Sequence, residues 1–130
     1  MEYQLSGDEP NIIGKTCGGL YLIQQQKGES ITDPANTIYL KFDSIWSKLC
    51  FDGGTIFWRN EAPSEPVNDN IDVCLVLLNL CELDGVVGSK LMEIQYSGND
   101  ELISSVFYFS SGKKLTFAHN CYDDFTSINS

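Results

Sequence analysis

Basic side chains are scarce in this chain. Eight Lys and Arg face eighteen Asp and Glu in 130 residues, which leaves a net charge of −10 and a pI near 4.2. Such a balance repels polyanions, because nucleic-acid binding depends on cationic side chains displacing the counterions of phosphates. Histidine occurs once, as His119. Structural zinc asks for four Cys or His ligands in close pairs, and no Cys-x-x-Cys is present to complete a site with His119 and Cys121. The five cysteines (Cys17, Cys50, Cys74, Cys81, Cys121) are odd in number and widely spaced, so they read as free thiols of a reducing compartment. A secretory signal is also missing, since residues 1–11 are polar and include Glu2, Asp8 and Glu9. The longest apolar stretch, 71–83, is interrupted by Asp72, Asn79 and Glu82 and is too short to cross a bilayer. These absences predict a soluble cytoplasmic protein with no membrane and no nucleic-acid partner; its oligomeric state is open.

Reactive machinery is equally sparse. His119 and Cys121 stand two residues apart and would share one side of a strand, with Asp123 and Asp124 just beyond. A nucleophilic thiolate needs a base within hydrogen-bond reach, and no further motif supports that pairing. Gly14-Lys15-Thr16 resembles the end of a phosphate-binding loop, yet the required preceding glycine is replaced by Glu9. Glu61, Glu65, Asp69 and Asp72 are dense but follow no calcium-loop spacing. The expectation is therefore no catalytic residue, no metal and no cofactor.

Core-forming residues, by contrast, are plentiful. Hydrophobic residues make up 42% and aromatics 12% of the chain, enough for one folded domain of this length without a metal or disulfide. Their spacing points to strands. Across 37–42, Ile38, Leu40 and Phe42 fall on one face and Thr37, Tyr39 and Lys41 on the other. Across 102–109, Ile103, Phe107 and Phe109 share a face, and Leu115 and Phe117 do so across 114–118. Asp52-Gly53-Gly54 and Ser110-Ser111-Gly112 lie between such runs and read as hairpin turns.

A weak internal repeat orders these pieces. Ile12-Ile13-Gly14-Lys15 precedes a run through Leu20 and Leu22; Val86-Val87-Gly88-Ser89 precedes a run through Met92, Ile94 and Tyr96. Each is followed by a hairpin, 48–59 in the first case and 106–119 in the second. The prediction is mainly β: two similar β-hairpin units, about 1–59 and 71–125, closing one antiparallel sandwich or barrel-like core with at most one or two short helices. The Pro- and acid-rich stretch 60–70 is the joint. Segment 71–83 has apolar residues on all sides, so periodicity cannot choose between a strand and a helix. The reading is a strand followed by one helical turn, capped by Asn79 and ended at Gly85, with an α+β fold and a helix over 71–83 as the alternative. Residues 24–36, polar and without period, read as a loop.

Small acidic β-rich chains with a Gly-Lys turn and hairpins such as Phe51-Asp52-Gly53-Gly54-Thr55-Ile56-Phe57-Trp58-Arg59 resemble bacterial immunity proteins. These accompany polymorphic toxins, including those of contact-dependent growth inhibition. The resemblance is one of overall pattern, and it implies a non-enzymatic inhibitor that occludes the active site of a cognate toxin domain, often a basic nuclease. An acidic surface suits such a partner, and the candidate contact groups are Glu61, Glu65, Asp69, Asp72, Asp123 and Asp124. The alternative is a small-ligand-binding β domain whose cavity is lined by Trp46, Trp58 and Tyr96.

Overall fold

The computed structural model describes residues 3–68 and 72–130. It is all-β, with ten strands and no helix among the described residues: β1 (Gln4–Ser6), β2 (Cys17–Lys27), β3 (Ser30–Phe42), β4 (Ile45–Asp52), β5 (Thr55–Arg59), β6 (Cys74–Asn79), β7 (Leu91–Gly98), β8 (Leu102–Phe109), β9 (Lys114–Asn120) and β10 (Phe125–Asn129). They form a six-stranded sheet ordered β1-β5-β4-β3-β2-β6 and a four-stranded sheet ordered β10-β9-β8-β7. All neighbours are antiparallel except β1, which runs parallel to β5.

Two-residue periodicity builds the core as expected. Ile38, Leu40 and Phe42 on β3 are buried, as are Ile103, Phe107 and Phe109 on β8 and Leu115 and Phe117 on β9. The sheets meet through Trp58 of β5, whose ring lies edge-on to Phe107 at 6.2 Å, and through Phe51 of β4, stacked on His119 of β9 at 5.8 Å. At the β4–β5 turn Gly53 has φ +57°, and at the β8–β9 turn Gly112 has φ +91°, conformations that glycine adopts without steric cost.

The repeat is visible in the hydrogen bonds. Gly14 N–H donates to Leu91 O and Gly88 N–H to Cys17 O; Leu91 N–H donates to Lys15 O and Cys17 N–H to Ser89 O. Positions 14, 15 and 17 thus correspond to 88, 89 and 91, and the two segments bond to each other as mates about a local twofold axis. Ile12 and Val86 are buried as counterparts, each accepting a turn bond three residues on, from Lys15 and Ser89. The same axis relates the meander β2–β5 to the meander β7–β10. Hairpin β4–β5 therefore corresponds to β9–β10, not to the β8–β9 hairpin suggested by likeness of sequence. β1 and β6 are additions to the first meander, and the passage between sheets falls at residues 80–90, after β6, rather than at 60–70.

Segment 71–83 is a strand within its described part. β6 pairs with β2, placing Leu78 opposite Leu22 and Leu77 opposite Ile23. Leu78 packs against the core, while Leu75 and Leu77 on the outer face stay half-buried beside Ile23, which is buried. Apolar residues on both faces are what this position needs, so the helical alternative is overturned. No helical turn follows: Asn79 Oδ1 accepts the Cys81 N–H at 2.8 Å, Leu83 N–H donates to Leu80 O, and Gly85 closes the run with φ +79°. Capping groups fall as expected, but they cap consecutive turns. Residues 24–36 are hairpin arms rather than a loop. β2 continues to Lys27 and β3 restarts at Ser30, because ladder bonds to β6 and a link to β10 hold a mostly polar hairpin, of which Ala35 joins the core.

Residues 60–68 pass over the outer face of the larger sheet. Glu61 takes a 3.2 Å ion pair from Lys48 and a 3.4 Å hydrogen bond from Tyr39 OH, which accounts for Tyr39 being buried on an outward-facing position. Asn68 then meets β6, its carboxamide bonding both the N–H (2.7 Å) and the C=O (3.0 Å) of Leu75.

Candidate functional site

In an up-and-down meander alternate turns emerge at one end. The β4–β5 turn carries Asp52, the β7–β8 turn Asp100 and Glu101, and the β9–β10 turn Asp123 and Asp124; Glu29 stands at the tip of the longer β2–β3 hairpin. These turns converge because Phe51 stacks on His119 and because Cys121 N–H donates to Glu101 O at 2.8 Å. Among the described residues Lys27 is the cation at this end. Lys15, Lys90, Lys113 and Lys114 lie at the other, where the Thr16–Lys90 bridge and the β8–β9 turn stand. That other end also holds Asp43, paired with Lys15 at 3.0 Å, and Asp84 beside the β8–β9 turn, so it carries both signs while the first end is almost wholly acidic.

Beneath the acidic turns lies a buried polar chain. His119, 1% exposed, shares a 2.9 Å hydrogen bond between Nδ1 and Thr126 Oγ1. Thr126 N–H donates to Asp33 Oδ1 at 2.7 Å, and Asn36 Nδ2 donates to Asp33 Oδ2 at 2.9 Å. β9, β10 and β3 are tied together by this chain, which joins the smaller sheet to the larger. His119 Nε2 has no hydrogen-bond partner and lies 3.5 Å from Asp124 Oδ1. Burial pushes the imidazole pKa below its ordinary value, opposed by the carboxylates of Asp124, Asp33 and Asp52. Asp124 itself sits at φ +51°, a left-handed conformation that Asp tolerates better than most side chains.

Cys121 does not join this chain, and burial raises its thiol pKa, which disfavours the thiolate. Thr126 and His119 are both closed to solvent, so their hydrogen bond serves packing. Among the described residues no group of three His, Cys, Asp or Glu is placed to hold a metal ion, and no helix is long and apolar enough to cross a membrane.

The carboxylates singled out in the sequence separate into two places. Asp123 and Asp124 belong to the acidic end, and the exposed Asp72 precedes β6 on the side where Cys74 pairs with Gln26. Glu61 is on the outer sheet face, engaged by Lys48 and Tyr39, and Glu65 is exposed farther along the same crossing segment. Asp69 lies outside the described residues. Sequence reasoning missed Asp52, Asp100 and Glu101. Their signal was available: each stands in or beside a turn, and a meander sends every second turn to the same end.

The three aromatics named for a ligand cavity do not line one together: Trp58 borders a shallow pocket with Gly7, Asp8, Pro10, Ser47, Arg59 and Asn60. Trp58 Nε1 donates to Tyr96 OH at 2.9 Å inside the sandwich. Trp46 is on the opposite sheet face, edge-on to Tyr21 at 5.6 Å and beneath Lys41 Nζ at 5.7 Å. Two shallow pockets of about 220 and 290 Å³ share Pro10, Ser47 and Asn60 at the end away from the acidic turns. No protein-family model, curated protein or solved structure matches the chain.

Proposed function

We propose that this chain is a binding protein that neutralises a cationic protein, as immunity proteins neutralise their cognate toxins, and that it works by occluding the partner's active site. The polarity of charge carries the reading. Carboxylates of three successive same-end turns stand on a rigid scaffold, with Lys27 as the cation among them and Lys15, Lys90, Lys113 and Lys114 at the far end. A nuclease presents a cationic cleft to its substrate, and an acidic end of this kind is complementary to it, speeding encounter and opposing polyanions. No catalytic step is assigned to the chain. Its buried His–Thr–Asp chain fixes the strand ends that display the acidic turns, which keeps the contact surface preorganised.

The test is to read the adjacent reading frame for a cytotoxic nuclease domain and to co-express the chain with the protein found there. Growth rescue and a stable purified complex are expected. A complex that leaves nuclease activity intact, or no complex, removes the inhibitor reading.

A further inference from the structure

The fold guards three of its four sheet edges. β1 is three residues long. On β6 the Asn68 carboxamide occupies both main-chain groups of Leu75, and on β10 the Thr126 N–H is taken by Asp33. β7 is different. It has eight residues and pairs with β8 on one side, and apart from the bonds of Leu91 to residues 14 and 15, no described main chain meets its other side. Long unpaired edges are ordinarily blunted, because they offer a row of donors and acceptors to any extended chain.

Which groups face outward follows from the ladder. At the hairpin tip Asn99 N–H donates to Leu102 O, and pairing then alternates along Gly98–Ile103, Ser97–Ser104, Tyr96–Ser105, Gln95–Val106 and Ile94–Phe107. The N–H and C=O of Ile94, Tyr96 and Gly98 are thereby turned to the free edge. Internal symmetry gives the same answer independently. The correspondence of 14, 15 and 17 with 88, 89 and 91 carries Leu20, Leu22 and Gln24 of β2 onto Ile94, Tyr96 and Gly98. On β2 that edge is occupied: β6 sets Leu78 opposite Leu22 and Val76 opposite Gln24, and Leu80 N–H donates to Leu20 O at 2.9 Å. The molecule therefore displays, on one meander, the strand that is missing from the other.

Charge selects the occupant. Residues 91–112 carry Glu93, Asp100 and Glu101 and no Lys or Arg. A second copy would bring the same carboxylates and another net charge of −10, whereas a basic segment is complementary. We propose that the free edge of β7 takes an extended, Lys- or Arg-bearing segment of the partner protein as an added antiparallel strand; this rests on the reading of a cationic partner given above. Main-chain bonds from Ile94, Tyr96 and Gly98 hold the segment. Its outward side chains lie beside the exposed Glu93 and Gln95, and its inward ones beside half-buried Ile94 and Tyr96. Alternating basic and apolar residues fit that pattern.

The probe is a terminally blocked octapeptide of four Lys-Val repeats, with a Glu-Val peptide as control, followed by amide hydrogen exchange on the full chain. Exchange at Ile94, Tyr96 and Gly98 should slow about tenfold or more with the Lys-Val peptide only. Gly98→Pro, which removes an edge donor but no bond to β8, and Glu93→Lys, which reverses the charge on β7, should each weaken binding about tenfold. Thermal melting of both variants checks that a loss of binding is not a loss of fold. Peptide binding that leaves the three amides unchanged overturns the edge proposal while the cationic-partner reading stands. No peptide binding overturns it too, with growth rescue still deciding that reading separately. Protection of the same amides in a concentration-dependent dimer of the free chain assigns the edge to a second copy and likewise overturns it.

Discussion

At the scale of single residues, two polar groups, buried His119 and half-buried Tyr96, set the conditions under which the fold holds. His119 is kept neutral by burial, with a folded-state pKa below the ordinary 6.5. Above that value both folded and unfolded chains hold a neutral imidazole; below it the unfolded chain takes up the proton first, so stability falls as pH falls through the unfolded value toward the folded one. Melting temperatures measured between about pH 7.5 and 5 should therefore drop more for the native chain than for His119→Asn, in which this group is absent. Equal slopes would show that the imidazole titrates freely. Tyr96 is the second such group. Its hydroxyl accepts from Trp58 and donates to Glu9 Oε1 at 2.6 Å, and burial together with that carboxylate holds the phenol pKa above its ordinary value. Tyr96→Phe strands the Trp58 indole N–H, and urea denaturation should register a loss of about 1–3 kcal/mol.

Secondary elements show what was legible in the sequence and what was not. The strands carrying Ile38, Leu40 and Phe42, or Leu115 and Phe117, were legible because one face meets the core and the other faces outward. β6 was not, since an edge strand half-covered on both faces has no period to read; only its partner β2 decides that it is extended. The polar arms 24–36 were misread for the converse reason: main-chain ladders and the Asp33 link, which have no side-chain signature, hold them as strands. The repeat was legible in its glycine turns, where Gly14 and Gly88 share a conformation at φ +85° and +92°. It was mispaired in its hairpins, because any two hairpins look alike and strand count alone identifies counterparts. Asn68 provides an element-scale test. Asn68→Ala frees both main-chain groups of Leu75, so hydrogen exchange at that amide should quicken about tenfold, with a stability loss of about 1 kcal/mol. An unchanged rate would mean that the β6 edge is protected by something other than this carboxamide.

At the scale of the whole molecule, the distribution of charge matters more than its sum. A net charge of −10 spread evenly would slow every acidic ligand and favour every basic one without orienting either. Here the carboxylates of Asp52, Asp100, Glu101, Asp123 and Asp124 gather on turns at one end, while Glu61 is already paired to Lys48 on the flank. The two groups should therefore behave differently toward a cationic partner. Asp52→Asn, Asp123→Asn and Asp124→Asn combined keep side-chain size, and Asn suits the left-handed backbone at 124. Stopped-flow association of this triple variant with the proposed cationic partner should be about tenfold slower than native at low salt, with the gap closing as ionic strength rises to about 0.5 M. Glu61→Gln with Glu65→Gln should change the rate by less than about twofold, since one of these charges is neutralised within the fold. If the flank variant slows association as much as the end variant, the attraction comes from total charge and the acidic end is no docking surface.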